Sequence, residues 1–304
     1  MTYDVVILTD RRFINPKKSG KSIDNVLLED KLVSDALHHI GLKVTKRSWD
    51  DSNFDWTSTK YALFRSTWDC FERFSEFSLW LKEVSSKTQL INSQKLIYWN
   101  IDKHYMLDLA KAGITIPRTL FVEKGTATSL KKAYGHAREN DNFKSTTFVL
   151  KPCFSGGARH TYKIEPEEIS QYETIFQELI VEEAMMLQEF QKNIVEQGEV
   201  SMMVFNGKFV NAVLKIAKPG DFRVQDDFGG SVQAYLPSQK EIDFAEKVVH
   251  AAPELPIYAR VDIFLDNDGN WALAELEIFE PELWFRLYPK AADTLANGIK
   301  ERLF

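Results

Sequence analysis

The chain has 304 residues, 44% of them hydrophobic, enough for more than one compact unit with a sizeable core. Its 38 basic and 44 acidic side chains give a formal net charge of -6, and no Lys/Arg block dominates a segment, which excludes a nucleic-acid footprint. The two cysteines, Cys70 and Cys153, read as reduced thiols; the MTYDVVILTDRR start has no signal-peptide pattern and apolar runs fall short of a membrane span, so the expected setting is the cytoplasm.

Val5 to Leu8 is an apolar run that ends in Thr9-Asp10-Arg11-Arg12, the pattern of a buried parallel strand with a polar loop at its carboxyl end. Ile23, Val26, Leu27, Val33, Ala36, Leu37 and Ile40 recur at helical spacing until Gly41. Lys43 to Arg47 and Tyr61 to Phe64 are further strands, the second ending in Arg65-Ser66-Thr67-Trp68-Asp69. Alternating strand and helix predicts a small α/β unit with a parallel sheet, whose ligands sit beyond the carboxyl ends of the strands, where both polar loops fall. Phe71 to Val84 is expected to be a helix, Leu90-Ile91 a strand and Asp102 to Ala112 a helix closed by Gly113. Strands and polar helices mix from Thr119 to Glu189. From Val200 the pattern turns antiparallel, with Asn206-Gly207 between two apolar runs as a hairpin signal.

The segment ARVDIFLDNDGNWALAELEIFEP, Ala259 to Pro281, reads as a second hairpin. Strict alternation puts Val261, Ile263 and Leu265 on one face of its first strand and Arg260, Asp262 and Phe264 on the other. On the second strand it puts Ala272, Ala274, Leu276 and Ile278 on the apolar face and Glu275 and Glu277 opposite, with Asp262 across from Glu275. Close carboxylates raise one another's pKa unless a cation lies between them, and an all-oxygen set suits Mg²⁺ or Mn²⁺. A solvated acidic strand face has the same pattern. An EF-hand does not fit, because Phe264 stands where its first acidic ligand belongs.

Val149-Leu150-Lys151-Pro152 precedes Ser155-Gly156-Gly157, a strand-end lysine beside a small loop that can let backbone N–H groups approach phosphate. No Gly-Lys-Ser/Thr follows, so this is not a P-loop. Lys103 in the first turn of its predicted helix opposes the helix dipole unless an anion offsets it. Gln188-Glu189-Phe190 ends a strand as a hinge whose backbone could meet an adenine edge, and Glu199 after Gly198 suits ribose hydroxyls. Lys215, Arg223 and Arg260 are cations among apolar strands.

In this order the parts resemble the ATP-grasp superfamily of the glutathione synthetase/RimK-like type, over about Asn100 to Pro281. Arg260-Val261-Asp262, Asp268-Gly269 and Glu275-Leu276-Glu277 look like the hairpin of D-alanine–D-alanine ligases. Val213 to Gln233, with Lys215, Arg223 and Gly229-Gly230, is more like glutathione synthetases. Arg65 to Asp69, Trp99-Asn100 and Glu277 to Pro281 are most similar to D-cycloserine synthetase-like proteins. The ligases usually have Asn where this chain has Glu277.

The resemblance implies an α/β chain, α+β in its C-terminal part, with three units. These are an N-terminal Rossmann-like pre-ATP-grasp domain (1–98), a lid subdomain (99–190) and an antiparallel subdomain with the metal site (191–304). It implies Mg-ATP as cofactor, Mn²⁺ being an alternative metal. Lys103, Lys151, Ser155, Gly156 and Gly157 would hold phosphates, Gln188, Glu189 and Phe190 would flank adenine, and Glu199 would bind ribose. Asp262, Glu275 and Glu277 would hold metal, and Arg260, Lys215 and Arg223 would be the catalytic cations. Arg11, Arg65, Ser66, Trp68 and Asp69 would face substrate; Arg65 and Asp69 would bind a zwitterion or bridge each other. The implied activity joins a small carboxylate to an amine, or closes a ring, through an acylphosphate. A small-molecule kinase and a non-catalytic nucleotide-binding protein are the alternatives. A homodimer is compatible with the resemblance; nucleic acid and membrane are not expected partners.

Overall fold

The computed structural model describes residues 2–154, 156–224 and 229–304. Strands β1 (Tyr3–Thr9), β2 (Val44–Ser48), β3 (Thr59–Ser66) and β4 (Gln89–Ile91) form a parallel sheet in the order β2-β1-β3-β4, with helices α1 (Lys21–His39) and α2 (Phe74–Val84) in the connections. The expected α/β unit is present. The helix expected from Phe71 starts at Phe74, because Trp68–Phe71 close a 3₁₀ turn first.

Two short helices follow, α3 (Gln94–Asn100) and α4 (Tyr105–Lys111). The first carries no long periodic signal and rests on a Ser93 cap, whose hydroxyl accepts from the Leu96 N–H at 3.2 Å. Lys103 lies before α4, not in its first turn, so the dipole argument made for it fails. Strands β5 (Thr119–Val122), β6 (Phe148–Pro152), β7 (Tyr162–Ile164) and β8 (Met185–Glu189) make an antiparallel sheet in the order β5-β8-β6-β7, packed on α5 (Leu130–Glu139) and α6 (Ile169–Glu182). After α7 (Lys192–Gln197) come β9 (Glu199–Phe205), β10 (Lys208–Ile216), β11 (Ser231–Tyr235), α8 (Gln239–His250), β12 (Tyr258–Leu265), β13 (Trp271–Glu277) and α9 (Lys290–Leu303). These strands form a second antiparallel sheet, β11-β10-β9-β12-β13.

The antiparallel sheet is sandwiched. On one side Met203, Phe205 and Tyr258 pack with Val5, Ile7 and Leu63 of the parallel sheet and Leu295 and Ile299 of α9. On the other, Val204, Val261, Ile263 and Leu276 pack with Met106, Leu109 and Val248. Burial on both faces explains why β12 is apolar apart from the buried charged pair Arg260 and Asp262.

Asn92, 2% exposed, staples this junction: its amide donates to the Tyr258 and Ile278 carbonyls at 2.8 Å, and its oxygen accepts from the Ile257 N–H at 2.6 Å. Asn92→Ala strands three buried backbone groups, so a loss of about 3 kcal/mol is expected in urea unfolding. A loss below ~0.5 kcal/mol would mean that water replaces the amide.

Candidate active site

The acidic residues sit on β12 and β13. The register pairs Asp262 with Glu275 and Arg260 with Glu277, as alternation predicts. Strict alternation fails at one place. The register shifts between Asp262 and Ile263, so Ile263 pairs with Leu273 and Ala274 is the extra residue. Leu273 and Leu276 therefore both enter the core, while Ala274 borders the cavity beside Glu275 and Glu277. Ala274 is thus not on the apolar face, because one inserted residue reverses the side-chain facing beyond it. Side chains from the short helices hold this edge strand. Asn100 donates to the Leu276 carbonyl at 2.7 Å and accepts from the Ile278 N–H at 3.0 Å, and the Tyr105 hydroxyl accepts from the Leu276 N–H at 2.9 Å.

The hairpin forms part of the wall of a cavity of about 670 Å³, the size of a nucleotide-scale pocket. Its other walls include Lys103, Lys151, Gly156, Gly157, Gln188, Glu189, Phe190, Glu199, Lys215, Arg223 and Trp68. The structure thus brings together most of the site residues read from the sequence. Ser155 lies outside the described residues. Four others do not line the cavity. Arg11 is turned to Asp50 at 2.8 Å with its side chain 69% exposed. Arg65 is buried, donating to the Pro281 carbonyl at 3.1 Å and lying over the Phe285 ring at 5.3 Å. Ser66 shares a 2.6 Å hydroxyl contact with Thr9. Asp69 accepts from the Trp49 indole at 2.7 Å and from Arg73 at 2.8 Å. Arg65 and Asp69 therefore do not bridge each other; Arg65 is tied to the segment after β13, and Asp69 to Trp49 and Arg73 within the N-terminal unit.

Charge is densely paired in the cavity. Lys215 bonds Glu199 at 2.5 Å and Asp262 at 3.0 Å. Arg260 grips Asp262 at 2.9 Å through both Nε and Nη2, and also bonds Glu277. Lys103 bonds Glu275 at 2.8 Å, and Lys151 donates to the Gln188 side-chain oxygen at 3.1 Å. The Trp284 ring lies beneath two of these cations, 5.2 Å from Arg260 and 5.9 Å from Lys215. Gly198 lets β9 start here: its φ is +90°, and a Cβ would meet the Lys215 carbonyl at 2.5 Å. Gly156 lies against the N-terminal unit, where a Cβ would meet the Phe71 ring at 2.3 Å.

Burial opposes ionisation of Asp262, but Arg260 and Lys215 outweigh it and hold the carboxyl well below the usual range. Burial, with Glu275 and Asp262, lifts Glu277 to about 7 despite Arg260, and burial and Glu277 push Glu280 well above the carboxylate range. Burial and the neighbouring Lys103 lower Lys151 to about 8. Burial also opposes ionisation of Glu275, but Lys103 outweighs it and holds the carboxyl below the usual range, so of the three only Glu277 is short of positive charge; all the donor atoms are oxygen. Asp262, Glu275 and Glu277 fit Mg²⁺ as an all-oxygen set, and the ion would supply the charge that Glu277 lacks.

Several cavity residues were not singled out in the sequence. Arg12, not Arg11, borders the cavity, because Asp10 caps the 3₁₀ turn Arg11–Phe13 and holds the Arg12 guanidinium at 2.6 Å. Glu280 and Glu282 line it from the segment after β13, where Glu-Pro is the one local signal. Phe71, Glu72 and Arg159 also line it; Arg159 donates to the Phe154 carbonyl at 2.8 Å and ties the glycine loop to Glu183. The Glu189 carboxylate is buried and held by Arg118 at 2.8 Å and the Ser145 N–H at 2.7 Å.

Comparison with known proteins agrees with this arrangement. Residues 5–92 match the family described as D-cycloserine synthetase DcsG, N-terminal domain, and residues 121–265 match the family described as prokaryotic glutathione synthetase, ATP-grasp domain. The cycloserine biosynthesis protein DcsG of Streptomyces lavendulae is 27% identical, over 88% of this chain and 92% of that protein. The crystal structure of D-cycloserine synthetase DcsG superposes with a TM-score of 0.86 at 23% identity, covering 99% of both chains. The D-alanine–D-alanine ligase of Bacillus anthracis complexed with ATP superposes with a TM-score of 0.62 at 15% identity, covering 98% of this chain and 96% of that one. Among the described residues no helix is long and apolar enough to cross a membrane.

Proposed function

We propose, because this chain belongs to the ATP-grasp ligases and is related to D-cycloserine synthetase, that it joins a small amino-acid-like carboxylate to an amine, or closes a ring within one molecule, using Mg-ATP. The observation that carries this reading is the single cavity in which Lys103, Lys151, Lys215 and Arg260 meet Asp262, Glu275 and Glu277.

Nucleotide would lie with its base among Val149, Gln188 and Phe190, its ribose toward Glu199 and its phosphates toward Lys103, Lys151 and the glycine loop. Magnesium held by Asp262, Glu275 and Glu277 would neutralise phosphate charge; manganese could take the same oxygen ligands. An oxygen of the substrate carboxylate attacks the γ-phosphorus, and the bond to the β-phosphate oxygen breaks, leaving ADP. Lys151 and Arg260 stabilise the charge on the transferring group, with Lys215 orienting Asp262 and Arg223 at the cavity edge. The amine then attacks the acylphosphate carbonyl; phosphate leaves, the nitrogen loses a proton, and an amide-type bond remains. No enzyme nucleophile is required.

The test is ADP release stimulated by a carboxylate and an amine together, with one free phosphate per ADP. Phosphate retained on an organic product would instead identify a kinase.

Lys151 makes a further measurable prediction. In the free protein it loses its proton near pH 8, through burial and Lys103. Polyphosphate favours the charged form. Above pH ~8, binding of AMP-PNP and magnesium is therefore expected to take up a proton. Calorimetry at pH 8.5 in two buffers of different ionisation enthalpy measures this. Lys151→Arg, which stays charged, should abolish the uptake.

A further inference from the structure

Consecutive residues before α4 serve two different cavities. Lys103 turns its ammonium to Glu275 at 2.8 Å in the cavity described above. Asp102 and His104, on either side of it, border a second cavity of about 420 Å³ together with Glu123 and Ala184. The Lys103 N–H donates to the Cys153 carbonyl at 2.9 Å, and the Cys153 N–H donates to the Ala184 carbonyl at 2.9 Å, so the loop after β6 is tied to the same place. A carboxylate oxygen of Asp102, a ring nitrogen of His104 and the Cys153 sulfur thereby come within 4.8 Å of one another.

These donors suit a particular class of ion. Thiolate, imidazole and carboxylate together are a ligand set for Zn²⁺ and similar transition metals, whereas Mg²⁺ takes oxygen. A tetrahedral zinc with bonds of about 2.0 to 2.3 Å holds its donors about 3.5 Å apart, so the side chains need move by little more than about 1 Å. The imidazole is already oriented. Its Nδ1 lies 2.6 Å from Asp102 Oδ1, and its Nε2 lies 3.1 Å from Glu123 Oε1. With Nδ1 on an ion, the Nε2–H donates to Glu123, the carboxylate–histidine–metal arrangement that fixes a ligating ring. The ring also packs on Phe121, 4.6 Å between centroids. Burial pushes the Cys153 thiol up; burial lowers His104, but Asp102 and Glu123 outweigh it and raise the ring. An ion must therefore displace protons to enter.

We propose that Asp102, His104 and Cys153 form a transition-metal site for Zn²⁺, with Glu123 orienting His104. The ion takes the place of the proton between His104 and Asp102 and of the thiol proton of Cys153, both of which pass to solvent. Its bonds clamp the segments that carry Lys103 and Lys151 to each other. The site stands apart from the ligase reading, which rests on ADP release and survives a failure here.

The test is a Co²⁺ titration of the reduced protein in excess Mg²⁺, which occupies all-oxygen sites. The wild type should develop thiolate-to-cobalt charge-transfer absorption in the near ultraviolet, saturating at one Co²⁺ per chain, and Zn²⁺ should abolish it. Affinity should rise about tenfold per pH unit for each proton released. Absence of the thiolate band overturns the inference. Cys153→Ser should remove the band; a band that survives belongs to Cys70 and equally overturns it. His104→Gln and Glu123→Gln keep the thiol and should each weaken Co²⁺ by at least ~10-fold. Unchanged affinity in either variant overturns the assignment, even if Cys153→Ser does not fold.

Discussion

Asp262→Asn and Glu275→Gln are each expected to lower ADP formation by about 10³-fold or more while the protein remains folded. Both carboxylates face the cavity from paired positions on β12 and β13, and both already hold a cation, Lys215 and Arg260 at Asp262 and Lys103 at Glu275. Removing either charge removes an oxygen ligand and leaves a buried cation less well balanced. The fold should tolerate this because the two cations at Asp262 keep other partners and the amide that replaces Glu275 keeps an oxygen acceptor for Lys103. Lys215 retains Glu199 at 2.5 Å, and Arg260 retains Glu277. Near-ultraviolet circular dichroism checks the fold, and a coupled ADP assay across a magnesium titration checks the activity. Wild-type rates in both variants would remove these residues from the metal site.

Phe279→Ala carries the largest expected effect on stability, about 3–5 kcal/mol. Phe279 is 3% exposed and packs against Phe64 at 4.7 Å, Phe77 at 5.3 Å and Phe71 at 6.5 Å between ring centroids. It belongs to the core behind the parallel sheet, while its neighbour Ile278 belongs to the core of the antiparallel sheet. The segment from Glu277 to Glu280 is thus pinned between two cores. Truncation should open a cavity there and loosen both carboxylates. We expect turnover to fall by up to ~10²-fold through misplacement, with AMP-PNP affinity changed much less because the sheet formed by β5 to β8 is untouched. Phe279→Leu should restore most of the stability, and an equal loss in the two variants would argue against the packing account.

Much of the architecture was legible because its signals are local and periodic. The α/β alternation up to Ile91, the Asn206-Gly207 hairpin and the pairing of Asp262 with Glu275 follow from spacing alone. The short helix Gln94–Asn100 was not legible, since it is stabilised by a cap and by Asn100 reaching across to β13. The bulge at Ala274 was not legible either: Leu273 donates its N–H to the Thr115 carbonyl at 2.9 Å, a partner remote in sequence. The choice between Arg11 and Arg12 depended on which guanidinium Asp10 captures.

The sequence by itself determined the two strand types, the acidic hairpin and the ordered set Lys103, Lys151, Glu199 and Asp262, because residue type and spacing carry that information. Tertiary structure alone decided which charges meet. It buried Arg65 against Phe285 and Pro281, closed Lys215 between Glu199 and Asp262, and placed Glu280 in the cavity wall, where the Trp68 indole N–H donates to its carbonyl. Ion pairing in a buried site depends on which side chains several distant segments bring within a few ångströms, and no spacing along one chain encodes that distance.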